Sequence, residues 1–276
     1  MSRLSLAHIA PVFLLPSIRS LVLGGIRELS SDELRKLRQI LPQGSSMVDT
    51  LKLCYARVSE DVLTLLMGAC KSMKRFFYQS SEISPWGSDH SECYQTVLGA
   101  LAAHQSSLEE LNYLPVVESV YDWRDRLPLS IALFKMTALK RLTINYTFLM
   151  GKPRGRYLLA GKTQLRDDLW SGCRHSLTEV LPSNLQTLGL IYAKMALTAD
   201  EDYNIQMRSM LESIPNNHPL LREITAVYSH DYSSGPFSLL SERIADDMRE
   251  HNVGFDYDIE VYDFESWGMY FSRIQG

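Results

Sequence analysis

Seven times along the chain an apolar residue is followed, three and then five positions later, by two more. The triplets are Ile18/Leu21/Leu23, Val48/Leu51/Leu53, Met73/Phe76/Tyr78, Leu108/Leu111/Tyr113, Leu139/Leu142/Ile144, Leu185/Leu188/Leu190 and Leu221/Ile224/Ala226. Charged and polar residues fill the gaps, as in Arg19, Asp49-Thr50, Lys74-Arg75, Glu109-Glu110, Lys140-Arg141 and Arg222-Glu223. In an extended strand the second and third members face one side, and the residue between them faces the other. The first members stand at 18, 48, 73, 108, 139, 185 and 221. The short intervals hold one strand and one helix per unit, and the two steps from 139 to 185 and from 185 to 221 require insertions.

This is the Leu-x-x-Leu-x-Leu grammar of a leucine-rich repeat. It predicts an α/β solenoid, a horseshoe with a parallel sheet on its concave side and helices on its convex side, running as one body over 1–276. Helix signals fall where this scheme needs them. Ser30 and Glu33 have capping-box spacing ahead of Leu34, Leu37 and Leu41, and Pro42-Gln43-Gly44 ends that helix. Ser59 is placed to cap a helix carrying Val62, Leu63, Leu65, Leu66 and Ala69. Further helices are expected over 92–105, from Thr198 to Pro215 and over 238–249. Phe255, Tyr257, Ile259 and Val261 alternate with Asp256, Asp258 and Glu260, an eighth strand with an acidic face inside a C-terminal cap at 252–276. Residues 1–17 read as an N-terminal capping half-repeat. The basic, Gly-rich stretch 151–182 reads as an insertion loop of the kind that is functional or irregular.

Charge and cysteine usage narrow the partners. The chain has a formal net charge of −4, which offers no global attraction to nucleic acid or to an anionic membrane. Its four cysteines stand apart with no Cys-x-x-Cys pair, which points to a reducing compartment, cytoplasmic or nuclear. No apolar run reaches the length of a spanning helix. Arg3 followed by the apolar stretch from Leu4 to Leu15 has the outline of a secretory signal, but the run passes into Ile18 without a small-residue cleavage site. A secreted effector-like repeat protein is the alternative on that point, and only then would the sequon Asn145-Tyr146-Thr147 matter.

Motifs that carry chemistry fail on spacing. Gly155 to Thr163 imitates a phosphate loop, but five residues rather than four separate Gly155 from Gly161. His90 and Cys93 are two ligands where a zinc site needs three or four. Adjacent carboxylates such as Glu109-Glu110, Asp167-Asp168 and Asp246-Asp247 point apart in regular structure and read as solvated faces. No enzyme and no cofactor is expected, and the contrary reading, an enzyme built around 151–182, would require a ligand that raises the melting temperature.

Binding to protein is the expected function, on the inner face of the sheet, with possible use in substrate recognition. The side chains predicted to meet the partner are Lys52, Arg75, Phe77, Glu110, Asn112, Arg141, Thr143 and Asn145, of mixed charge around one aromatic anchor. Leu14 to Leu21, the recurrent triplets, and Leu181-Pro182-Ser183-Asn184-Leu185-Gln186-Thr187-Leu188 resemble the repeat region of fungal F-box proteins with leucine-rich repeats. In that family a helical box recruits a Skp1-type adaptor of a ubiquitin ligase while the repeats hold the substrate. No such box precedes Ile18, so the resemblance implies the repeat fold and protein binding. An F-box-like substrate adaptor with a lost or truncated box is the alternative it leaves.

Overall fold

In a computed structural model of the chain the residues described are 6–26, 29–56, 58–80, 99–114, 133–145, 149, 177–192, 216–228 and 254–258. Among them the strands are β1 (Ser20–Gly24), β2 (Thr50–Ala56), β3 (Arg75–Ser80), β4 (Glu110–Leu114), β5 (Arg141–Asn145), β6 (Thr187–Tyr192), β7 (Glu223–Tyr228) and β8 (Gly254–Asp258). The helices with defined bounds are α1 (Leu6–Phe13), α2 (Ser31–Ile40), α3 (Glu60–Ala69) and the single turn α4 (Leu177–Val180). The eight strands form one parallel sheet in chain order, an α/β architecture.

The apolar triplets set the register. Leu21 pairs with Leu51, Leu51 with Phe76, Phe76 with Leu111, Leu111 with Leu142, Leu142 with Leu188 and Leu188 with Ile224. The third members pair in the same way, from Leu23 against Leu53 to Leu190 against Ala226. The expected eighth strand joins them, with Phe255 beside Ile224 and Tyr257 beside Ala226. A one-residue slip would turn every one of these side chains to the opposite face, so burying this row specifies the pairing. Leu51, Leu53, Phe76, Leu111, Leu142, Ile144, Leu188, Leu190 and Ile224 are fully buried, each burial contributing about 1.5–3 kcal/mol. Leu21, on the edge strand, is only partly buried. Tyr78 and Tyr113 stack within the row at 5.5 Å between ring centroids.

The helices cover the same face. Leu37 and Leu41 of the α2 segment and Val62, Leu63, Leu66 and Met67 of α3 share one core with the strand residues. In α1, Leu6, Ala10 and Phe13 recur at helical spacing and are buried, and the helix packs against α2. At the start of α2 the capping box forms as expected: the Glu33 amide donates to Ser30 Oγ at 3.3 Å, and the Ser30 amide donates to Glu33 Oε2 at 3.0 Å. Ser59 occupies the N-cap of α3, but its side chain makes no cap bond, contrary to expectation. The third helical position there is Val62, which has no carboxylate to return the contact. The helix expected to run to Gln105 gives way to turns after 102. The helices expected over 198–215 and 238–249, and residues 151–176 of the insertion loop expected over 151–182, lie outside the described residues; the end of that stretch holds α4.

Two sets of polar contacts tie each unit to the one before. Immediately ahead of each of β1 to β6 a single carbonyl accepts two successive amides from the next unit. Arg19 O takes Asp49 N and Thr50 N at 2.8 and 3.0 Å, and Asp49 O takes Lys74 N and Arg75 N at 2.7 and 2.9 Å. The pattern continues through Lys74, Glu109, Lys140 and Gln186. Further back, side chains fasten the turns. Ser46 Oγ donates to Phe13 O at 2.6 Å, and Asn184 Nδ2 donates to Thr137 O at 2.6 Å. His104 bridges two backbone groups: Nδ1 accepts from Met73 N at 3.3 Å, and Nε2 lies 3.0 Å from Met67 O. Those partners define the neutral tautomer protonated on Nε2. The sequence places His104 only within the helix expected over 92–105; in the structure it is a crosslink between units.

Candidate functional site

Between the core positions of each strand lies a residue that faces away from the helices. Across β1 to β7 this middle row is Val22, Lys52, Phe77, Asn112, Thr143, Gly189 and Thr225, brought side by side by the register. The row one step toward the strand starts holds Arg75, Glu110, Arg141, Thr187 and Glu223 in the same order. Seven of the eight predicted contact residues therefore sit in two adjacent rows on one face, and Asn145 closes β5 at its far end beside Ile191. The side chain of Asn145 lies outside the described residues.

The face is not uniform, and here the expected open surface needs correction. Val22 is 59% exposed, whereas Asn112 is 6% and Leu114 5% exposed. Leu114 is buried without belonging to the core under the helices. Asn112 is thus no free contact residue. Its Nδ2 donates to Glu110 Oε1 at 3.3 Å, and the other Glu110 oxygen accepts from Arg141 at 2.7 Å. Glu110 and Arg141 neutralise each other, and Asn112 fixes the carboxylate between them.

One residue earlier, Glu109 repeats the pairing with Lys140 at 3.1 Å. The hydrogen bond from Lys140 holds the Glu109 carboxyl below its ordinary range, with Lys74 and Arg75 adding to the effect. The adjacent carboxylates Glu109 and Glu110 turn to different cations, as their spacing suggested. Further along, Thr187 Oγ1 donates to Glu223 at 3.4 Å.

The β2–β3 part is different in kind. The Lys52 ammonium stands 4.4 Å from the centre of the Phe77 ring, held by the negative face of the ring rather than by a carboxylate. Arg75 is exposed and, among the described residues, makes no hydrogen bond or ion pair. Beside them Cys54 is half-buried; burial pushes its thiol pKa up, and Lys52 offsets this only in part. A thiol held protonated is a poor nucleophile. Near the end of β2 its pairing with β3 shifts between Leu53 and Ala56, and Tyr55 takes a φ of 50° there. Gly25 at φ 64° takes the equivalent place after β1 and donates to Cys54 O at 3.0 Å. A tyrosine in the left-handed region costs about 1–3 kcal/mol, and its ring is left exposed.

Sequence reasoning undervalued Val22. It is the single outward apolar residue exposed on β1 and extends the Lys52–Phe77 pair toward the sheet edge. The signal was present, since the corresponding outward positions of β2, β5 and β7 carry Lys or Thr. Chemically, the β1–β3 face offers two cations, an aromatic ring and an aliphatic side chain. Among the described residues no group of three or more His, Cys, Asp and Glu side chains is placed to hold a metal ion, and no helix is long and apolar enough to cross a membrane. The pair His90 and Cys93 and the stretch from Gly155 to Thr163 lie outside the described residues. Compared with protein-family models, with curated proteins and with solved structures, the chain matches none.

Proposed function

We propose that the chain is a leucine-rich-repeat solenoid acting as a non-enzymatic protein-interaction module, with the partner held on the sheet face opposite the helices. The observation that carries this reading is the β1–β3 face itself. An exposed Val22, a Lys52 ammonium over the Phe77 ring with no carboxylate partner among the described residues, and an exposed Arg75 lie on adjoining parallel strands. Aromatic and arginine side chains dominate the energetics of protein interfaces, and stacked repeats present such side chains on a continuous sheet. The neutralised Glu110–Arg141 pair then bounds the surface rather than anchoring the partner.

The test is affinity capture with mass spectrometry, using the wild-type chain and an Arg75→Ala/Phe77→Ala variant. Both side chains lie outside the core, so the variant keeps wild-type far-UV dichroism. Specific partners captured by the wild type are lost from the variant. An identical partner set from both proteins removes this face from the function.

A further inference from the structure

We propose that the β1–β3 face takes an extended acidic peptide segment, with carboxylates on alternate residues meeting Lys52 and Arg75 and an apolar side chain packing on Val22 and Phe77. This rests on reading the face as a protein-binding surface and names the chemistry of what it binds. The outward positions of these three strands carry two cations and no carboxylate, in a chain whose formal net charge is −4. Asp49 precedes β2, where Thr50 Oγ1 donates to it at 2.9 Å, and the carboxylates of Glu109, just ahead of β4, and Glu110, in β4, are occupied by Lys140 and Arg141. Among the described residues neither Lys52 nor Arg75 makes an ion pair, and Glu109, which Arg75 influences at longer range, is paired with Lys140, so acidic groups of a partner complement these two cations.

Spacing supports the same occupant. Lys52 and Arg75 are on adjacent strands and offset by two residues, since Lys52 pairs with Phe77. Strand geometry puts them about 8 Å apart, and alternate side chains of an extended peptide recur at about 7 Å on one side. Val22 and Phe77 flank Lys52 in the middle row and offer apolar area beside the charges. A single-stranded nucleic acid also pairs anions with aromatic stacking. The Lys52 ammonium already covers one face of Phe77, and the net charge of the chain repels a long polyanion.

The probes are a fluorescein-labelled peptide with glutamate at alternate positions and one leucine, its glutamine and lysine counterparts, and a deoxythymidine oligonucleotide. Each is titrated with the full chain by fluorescence anisotropy. The glutamate peptide binds at least about tenfold more tightly than the glutamine peptide, and added salt weakens it. A Lys52→Glu/Arg75→Glu variant loses the glutamate peptide by at least about tenfold and gains the lysine peptide. Equal binding of the glutamate and glutamine peptides, or tighter binding of the oligonucleotide, overturns the proposal. In affinity capture, a partner retained by the charge-reversed variant yet lost by Phe77→Ala sinks the acidic-peptide assignment while leaving the protein-binding reading intact.

Discussion

Gly189 and Thr143 are register partners in the middle row of β6 and β5, and replacing Gly189 by alanine tests that pairing directly. A Cβ built on Gly189 meets Thr143 Oγ1 at 2.9 Å, Cγ2 at 3.0 Å and Cβ at 3.3 Å. Threonine is branched at Cβ and stiff at χ1, so rotation cannot clear both branches. Overpacking of this kind costs about 1–3 kcal/mol. It is offset by about 0.5–1 kcal/mol because alanine loses less chain entropy than glycine on folding. Gly189→Ala should therefore destabilise by about 1 kcal/mol.

Thr143→Ala removes both offending branches and leaves only the 3.3 Å contact. The double variant should then be more stable than the two single changes predict, with a coupling of about 1–2 kcal/mol. Urea denaturation of the four proteins, followed by dichroism and fitted with a common m-value, measures it. A coupling under about 0.3 kcal/mol would mean that the two side chains do not meet, and the register across the longest connection between strands would be wrong.

Three further outcomes are expected. His104→Ala strands the Met73 amide and the Met67 carbonyl in a buried turn and should cost about 2–4 kcal/mol by urea denaturation. Ser30→Ala should cost about 1 kcal/mol of stability, whereas Ser59→Ala, whose hydroxyl makes no cap bond, should cost a few tenths at most. Equal costs would refute the distinction between the two caps. Cys70 is buried, and burial pushes its thiol pKa up to about 12 with a further contribution from Asp49. A thiol whose pKa is raised by folding stabilises fully below its unfolded value, and that contribution is lost as pH rises toward 12. Wild-type stability should therefore fall through this alkaline range, and Cys70→Ala should fall less steeply in the same buffers.

The rows of the sheet were legible because burial on one face imposes a period of two, and the recurring apolar triplet shows that period several times. Leu51, Leu111 and Leu188 could be placed in one row from their spacing alone, and the capping box of Ser30 with Glu33 carries its own partner in sequence. What was not legible depends on contacts between units. Nothing in the residues around Asn112 says that it will be buried, because the period of two reports a face and not what covers it. His104 looks like one more residue of an amphipathic helix until Met67 and Met73 are brought to either side of its ring. The left-handed Tyr55 has no signal at all, since a sequence reader expects glycine where φ is positive, as at Gly25. The candidate site was half visible: Lys52, Arg75 and Phe77 were named from position, but which charges find partners depends on neighbours that only the fold supplies.

The doubly accepting carbonyls ahead of the strands have an engineering consequence. Between β2 and β3 the clasp of Asp49 O on Lys74 N and Arg75 N measures 2.7 and 2.9 Å, and that of Lys140 O on Gln186 N and Thr187 N measures 2.7 and 3.1 Å. The second spans a much longer stretch of chain and closes to nearly the same lengths. Lengthening such a connection twofold adds only about 0.6 kcal/mol of closure entropy. The fastening is local to the strand starts, so a foreign epitope or reporter spliced into the link between β5 and β6, away from its core residues Leu149, Val180, Leu181 and Leu185, should leave the neighbouring strands clipped together.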